Sequence, residues 1–264
     1  QSGGWTITWQ GTELDNSDFP DATSIYKGIQ QAVTNNGGST ELSEKGEWNK
    51  KPDIALVIFG EEPYAEGQGD VETLGYKGGA TNDLQLIRKL REQNIPVVSV
   101  FITGRPLWMN AEINASNAFV VAWLPGSEGQ GVADVLVADT KGQPRYDFTG
   151  RLSFEWPNAE INVDDVKLPV LDQLLNLGAG LSYGDEAILS ESLRDKPLSN
   201  VATVGEVIFA GSSRGAWTML AGDEDGWRQE IKGRNFVSKK QGLKVSVVNG
   251  MVQEDSRLVE WTGV

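Results

Sequence analysis

The run Asp53-Ile54-Ala55-Leu56-Val57-Ile58-Phe59, closed by Gly60, constrains the fold of this chain more than any other stretch. Six successive apolar residues leave no polar face, so the segment reads as a strand buried on both sides, as in helix-covered parallel sheets. The loop after it is as telling. Gly60-Glu61-Glu62-Pro63-Tyr64-Ala65-Glu66-Gly67-Gln68-Gly69-Asp70 holds four carboxylates, three glycines and an aromatic. Ligands of α/β sheets collect outside the carboxyl ends of strands, where this loop would sit. Crowded carboxylates raise one another's proton affinity, which suits acid–base work. A solvated acidic loop and a calcium clip fit the same composition.

The surrounding pattern alternates strand-like and helix-like segments. Ile25, Ile29 and Val33 recur at helical spacing and end at Asn36-Gly37-Gly38. Leu84, Ile87 and Leu90 form a second helical face opening at Thr81-Asn82-Asp83. Pro96–Ile102 and Phe119–Trp123 read as strands, Val132–Ala138 as a helix, with Ser127 as a helix-opening residue. Trp5-Thr6-Ile7-Thr8-Trp9 alternates as a short strand would, which puts both tryptophans on one face and Trp5 in the core. The sum is an α/β fold, a mostly parallel sheet sandwiched by helices.

Beyond Tyr183 the texture changes. Val201–Phe209, Ala216–Leu220, Leu243–Val248 and Leu258–Trp261 are short, β-branched or aromatic, and separated by Gly, Asp and Asn. They predict a β-rich, sandwich or jelly-roll-like domain that looks incomplete. The expected division is 1–184 for the α/β domain, 185–200 as a polar linker and 201–264 for the β-rich part. Charge follows the division: residues 1–204 carry 15 basic and 29 acidic side chains, while 205–264 carry 8 of each. Trp217, Trp227 and Trp261 fit either a sandwich core or a sugar platform.

Composition removes several chemistries. With no His and no Cys, the chain offers no Cys nucleophile, no Ser-His-Asp machinery and no His- or Cys-ligated zinc. Acid–base work falls to Asp, Glu, Lys or Tyr. A net charge of −14 argues against nucleic acid and anionic membrane surfaces as partners. No stretch has the length of a membrane-spanning helix, and no signal-peptide pattern opens the chain. It begins with Gln1, not Met, so it is expected to start after processing or to be part of something longer.

Six segments, in order, carry a family likeness. They are Gly3-Gly4-Trp5-Thr6-Ile7-Thr8-Trp9-Gln10-Gly11, the Glu-Glu-Pro-Tyr-Ala-Glu loop with Gly69-Asp70, and Thr103-Gly104-Arg105-Pro106. Then come Ala122-Trp123-Leu124-Pro125-Gly126-Ser127-Glu128-Gly129-Gln130-Gly131-Val132-Ala133-Asp134, Thr149–Pro157 and Gly178–Tyr183. Together they resemble the second, α/β-sandwich domain of glycoside hydrolase family 3, near its exo-acting β-glucan glucohydrolases. The tail is similar to an extra C-terminal domain of some bacterial members.

The resemblance implies a retaining enzyme without cofactor, acting on β-glucan oligosaccharides or β-glucosides in the periplasm or outside the cell. A TIM-type barrel upstream would hold the nucleophile Asp. This chain would supply Glu66 as acid/base, and Trp9 would line the site beyond the scissile bond. Retaining hydrolysis needs two carboxyl groups about 5–5.5 Å apart, with the proton donor kept protonated by its surroundings. Trp9 offers a flat apolar face to a pyranose ring. Glu61, Glu62 and Tyr64 are site neighbours, the two glutamates better suited to ordering the loop. Arg105 reads as a structural ion pair, Trp123 as packing beneath the Pro125-Gly126 turn, and Glu128 and Gln130 as helix braces. The competing reading is a non-catalytic carbohydrate-binding or scaffold module. An enzyme half would expose an aromatic-rich face for its barrel. A nucleotide binder fits poorly, since Gly126–Gly131 lacks the Lys-Ser/Thr of a phosphate loop.

Overall fold

A computed structural model describes residues 3–78, 82–160, 173–186, 189 and 192–196, and in the C-terminal part the strand segments 217–222, 228–233, 246–248, 251–254 and 257–263. The chain divides into two compact units: Gln1–Val166 with Val170–Pro197, and Lys167–Pro169 with Leu198–Val264.

The first unit is built on a three-stranded parallel sheet in the order β1 (Ala55–Gly60), β2 (Val97–Ile102), β3 (Ala118–Trp123). Helices cover both faces. On one side, α2 (Asp83–Glu92) packs Ile87 and Leu90 against Val57, Phe59, Val97 and Phe101, joined by residues of α3 (Asn110–Ala115). On the other, α1 (Ile25–Asn35) and α4 (Gly129–Leu136) close over Val100 and Ile102. This is the helix-sandwiched parallel sheet the sequence predicts.

Local chemistry explains the helices. The Ser24 hydroxyl accepts from the Lys27 N–H at 3.2 Å to open α1, and Asn36 and the left-handed Gly37 (φ 79°) end it. The Asn82 side chain caps α2, with Asp83 in its first turn and Lys89 and Arg91 in its last, which complements the helix dipole. Phe59, Tyr76, Phe101 and Phe119 form a chain of ring contacts through the core, 5.1–6.1 Å between centroids.

Three expectations change. β1 is an edge strand with one face half-covered, so Ile58 is 36% exposed and Ile54 more so; the unbroken apolar run does not mean burial on both faces. Helix α4 starts at Gly129, three residues before the predicted Val132, and Ser127 does not cap it. Glu128 holds the cap position without a side-chain bond to the helix, while Gln130 braces the helix through Asp134 at 2.8 Å. The third change concerns residues 5–9. They form no strand but a tight loop, in which the Trp5 N–H reaches back to the Trp9 carbonyl at 2.9 Å.

Helix α3, which the sequence did not announce, grips the segment at 193–194. The Asn114 amide pairs with both backbone groups of Leu193 (2.7 and 2.8 Å), and the buried Asn110 donates to the Arg194 carbonyl at 2.9 Å. A short antiparallel pair, β4 (Trp156–Pro157) with β5 (Gln173–Leu175), completes this unit's strands among the described residues.

In the second unit, β6 (Trp217–Gly222), β7 (Arg228–Gly233), β8 (Ser246–Val248), β9 (Met251–Glu254) and β10 (Arg257–Gly263) make one antiparallel sheet in the order β7-β6-β10-β9-β8. It is β-rich as predicted, with β7 and β9 additional to the sequence reading. The predicted strand at 201–209 and Trp227 lie outside the described residues.

Candidate active site

Four loops meet beyond the carboxyl ends of the strands: residues 3–11, the acidic loop after β1, the Thr103–Arg105 turn after β2, and the Leu124–Gly126 turn after β3. Glycine makes the approach possible. A Cβ at Gly4 would stand 1.9 Å from the Tyr64 carbonyl oxygen, and one at Gly69 would stand 2.6 Å from the Tyr64 ring. The Gln10 side chain then locks two loops together, its Oε1 accepting the Ala65 N–H at 2.6 Å.

Glu66 begins a single 3-10 turn, Glu66–Gly69, directly after that buried anchor at Ala65. Its side chain is exposed and its backbone is left-handed, φ 46°, a costly conformation for a residue with a Cβ. Trp9 directly precedes Gln10, so the same hydrogen bond brings the Trp9 loop and the Glu66 loop side by side. Trp9 is 59% exposed. Trp5 is 65% exposed, which corrects its expected place in the core. Its positive φ of 65°, with 58° at Ile7, breaks the alternation that would have turned it inward. The two indoles stand 6.4 Å apart and, with the exposed Ile7 and Leu124, leave an apolar rim beside the acidic loop.

The other predicted neighbours are arranged differently. Glu61 is half-buried and fully engaged: Arg105 Nε and Nη2 hold its Oε1 at 2.9 and 2.8 Å, and the Thr103 hydroxyl donates to its Oε2 at 2.7 Å. The expected structural ion pair of Arg105 is therefore present. Glu62 is exposed. Tyr64 lies under the Arg105 guanidinium, 4.3 Å from ring centroid to Cζ. Burial pushes the Tyr64 phenol up from its ordinary value, and the Glu61 charge adds to the effect. Trp123 packs against the buried Trp156, 6.3 Å between rings.

Sequence reasoning missed Gln10 and Thr103, whose roles depend on partners 55 and 42 residues away. Gly4 and Gly104 were the available signals, since both mark places where Tyr64 comes close. Among the described residues, no group of three or more acidic side chains could hold a metal ion. Nor is any described helix long and apolar enough to cross a membrane.

The arrangement is that of a carboxyl group presented on a braced turn next to indole faces, open on one side. Residues 1–183 match the glycosyl hydrolase family 3 C-terminal domain. The chain therefore belongs to glycoside hydrolase family 3.

It is similar to an exo-1,3/1,4-β-glucanase of a Pseudoalteromonas species. In that crystal structure, 44% identity and a TM-score of 0.69 extend over 94% of this chain and 31% of the other. A mutant form of the same enzyme gives 50% identity over 74% of this chain and 32% of that one, with a TM-score of 0.69. A lysosomal β-glucosidase of Dictyostelium discoideum is 29% identical over 210 residues, 69% of this chain and 24% of the relative. A periplasmic β-glucosidase of Salmonella typhimurium is 28% identical over 133 residues, 49% of this chain and 15% of the relative. The matched region thus spans at most 32% of the length of any of these relatives.

Proposed function

We propose that this chain supplies the general acid/base, Glu66, to a retaining exo-acting β-glucosidase or β-glucan glucohydrolase that releases glucose from non-reducing ends. The nucleophile Asp comes from a TIM-type barrel domain upstream, and no cofactor takes part. Residues 1–184 form the acid/base domain, 185–200 the connection and 201–264 a β-rich accessory domain. Trp9 lines the leaving-group side, while Glu61, Glu62 and Tyr64 surround the loop. The likeness to an exo-1,3/1,4-β-glucanase at 44% identity supports the substrate class. The periplasmic relative supports action outside the cytoplasm.

One observation carries this reading: the Gln10–Ala65 hydrogen bond, which sets the Trp9 loop against the turn that begins with Glu66. Glu66 protonates the glycosidic oxygen as the leaving sugar departs, then takes a proton from the water that opens the glycosyl-enzyme. A proton donor at neutral pH has to be enclosed. Glu66 is exposed within this chain, so the barrel must provide the enclosure, and the apolar rim of Trp5, Ile7, Trp9 and Leu124 is the face it would cover.

Alone, the 264-residue chain is expected to hydrolyse no aryl β-glucoside, because a retaining mechanism lacks its covalent route without the nucleophile. The decisive test uses the barrel-bearing enzyme. Glu66→Ala should slow formation of the glycosyl-enzyme, read as kcat/KM, severely for glucans and far less for 2,4-dinitrophenyl β-glucoside, and azide should accelerate the second step. Equal losses on both substrates with no azide effect would remove Glu66 from the acid/base role.

A further inference from the structure

The acidic loop that carries Glu66 is held at its entry and at its last turn residue by one side chain. Arg105 donates to Glu61 at the entry of the acidic loop, through Nε at 2.9 Å and Nη2 at 2.8 Å. Its remaining Nη1 donates to the Gly69 carbonyl, the last residue of the turn, at 2.5 Å. Between these two grips its guanidinium plane covers Tyr64, 4.3 Å from the ring centroid. Tyr64 in turn is boxed by backbone: a Cβ at Gly4, Gly69 or Gly104 would approach its atoms to 1.9, 2.6 or 2.9 Å. Arg105 is itself fixed by its backbone N–H, which donates to the Thr103 hydroxyl at 3.1 Å.

The planar, five-donor geometry of arginine is what allows this. A lysine at 105 would keep a positive charge for Glu61, but a single ammonium cannot also reach Gly69 and cover the tyrosine. Glu66, for its part, is exposed, and its backbone sits in a left-handed conformation that relaxes unless its surroundings hold it. The stiffness of the turn therefore comes from the anchors around it: Gln10 at Ala65, and Arg105 at Glu61 and Gly69.

From this geometry we propose that Arg105 is the positioning residue for Glu66. It clamps Glu61 and Gly69 so that the carboxyl between them meets the glycosidic oxygen at one fixed place. The inference rests on Glu66 being the acid/base, and it adds what aims that group. Arg105 touches neither sugar nor reacting atoms. Its contribution is orientation, and a misplacement of about 1 Å at a proton donor costs roughly a hundredfold in rate.

The test is a double-mutant cycle in the barrel-bearing enzyme, with Arg105→Lys, Glu66→Ala and the pair, assayed on laminaribiose and on 2,4-dinitrophenyl β-glucoside. Laminaribiose needs its leaving oxygen protonated; dinitrophenolate does not. Arg105→Lys should lower kcat/KM on laminaribiose by roughly ten- to a hundredfold and leave kcat/KM on the aryl glucoside, which reports only formation of the glycosyl-enzyme, nearly unaffected. In the Glu66→Ala background, Arg105→Lys should add less than about twofold, since nothing is left to aim.

Glu61→Gln removes the charge that Arg105 grips at the other end of the clamp while keeping the arginine, and it should reproduce the same substrate-selective loss; it also serves if the lysine variant does not fold. Equal losses of kcat/KM on both substrates, or a full Arg105→Lys penalty persisting without Glu66, would overturn the proposal. If Glu66→Ala alone lacks leaving-group selectivity, the acid/base reading has failed, and the assignment of Arg105 goes with it.

Discussion

Gln10 and Ala65, 55 residues apart in sequence, are joined by a hydrogen bond of 2.6 Å from the Ala65 N–H to the Gln10 Oε1. Ala65 is buried, so its N–H has no access to water if the glutamine is lost. Leaving a buried donor unpaired costs about 1–3 kcal/mol. Gln10→Ala should therefore lower stability by that order in chemical denaturation, whereas Gln10→Glu, which keeps the acceptor, should cost less. In the complete enzyme the alanine variant should also weaken di- and trisaccharide turnover more than that of activated aryl glucosides. Unchanged stability would mean that the two loops are held by their glycine contacts alone.

The exposed pair Trp5 and Trp9 separates packing from binding. In the 264-residue chain neither indole is in the core, so Trp5→Ala and Trp9→Ala should both leave the melting temperature nearly unchanged. A buried tryptophan would cost about 3–5 kcal/mol on the same truncation. In the barrel-bearing enzyme, Trp9→Ala should weaken oligosaccharide binding by about 0.5–1.5 kcal/mol, the worth of a ring contact. Calorimetric melting of the chain and inhibition constants of the enzyme give the two readouts. A melting point that collapses for Trp5→Ala in the isolated chain would restore it to the core.

The core of the first unit was legible because its signals are local. The periodicities at Ile25, Ile29 and Val33 and at Leu84, Ile87 and Leu90, and the apolar runs at 53–59 and 96–102, reappear as α1, α2, β1 and β2. The Trp5–Trp9 segment misled because Trp-Thr-Ile-Thr-Trp has a strand's period of two. Its conformation is set by the closing bond from the Trp5 N–H to the Trp9 carbonyl and by the contact of neighbouring Gly4 with Tyr64. Arg105 could be read as an ion-pair former from its place after a strand. That it spans Glu61 and Gly69 could not, because that requires the three-dimensional meeting of two loops. Helix α3 is six residues long, too short to give a periodic signal.

Buried Glu112 on α3 gives the first unit a pH dependence of known sign. Burial pushes its carboxyl up to about 7, and the negative charge of Asp83 on α2 adds to this, opposed by the Glu112 backbone N–H and by Arg88 of α2. The folded state thus holds this proton more tightly than the unfolded chain, where a glutamate releases it near 4.5. A proton held more tightly in the folded state stabilises it most at low pH. The contribution is complete below about 4.5 and disappears as pH rises through about 7. At about 1.4 kcal/mol for each unit of pKa, it amounts to roughly 3 kcal/mol across that window. Glu112→Gln supplies a permanently neutral side chain of the same shape. The variant should match the parent below about pH 4.5 and exceed its stability at pH 8. Denaturant midpoints at the two pH values measure the difference, and parallel pH profiles for parent and variant would show that Glu112 is not the group responsible.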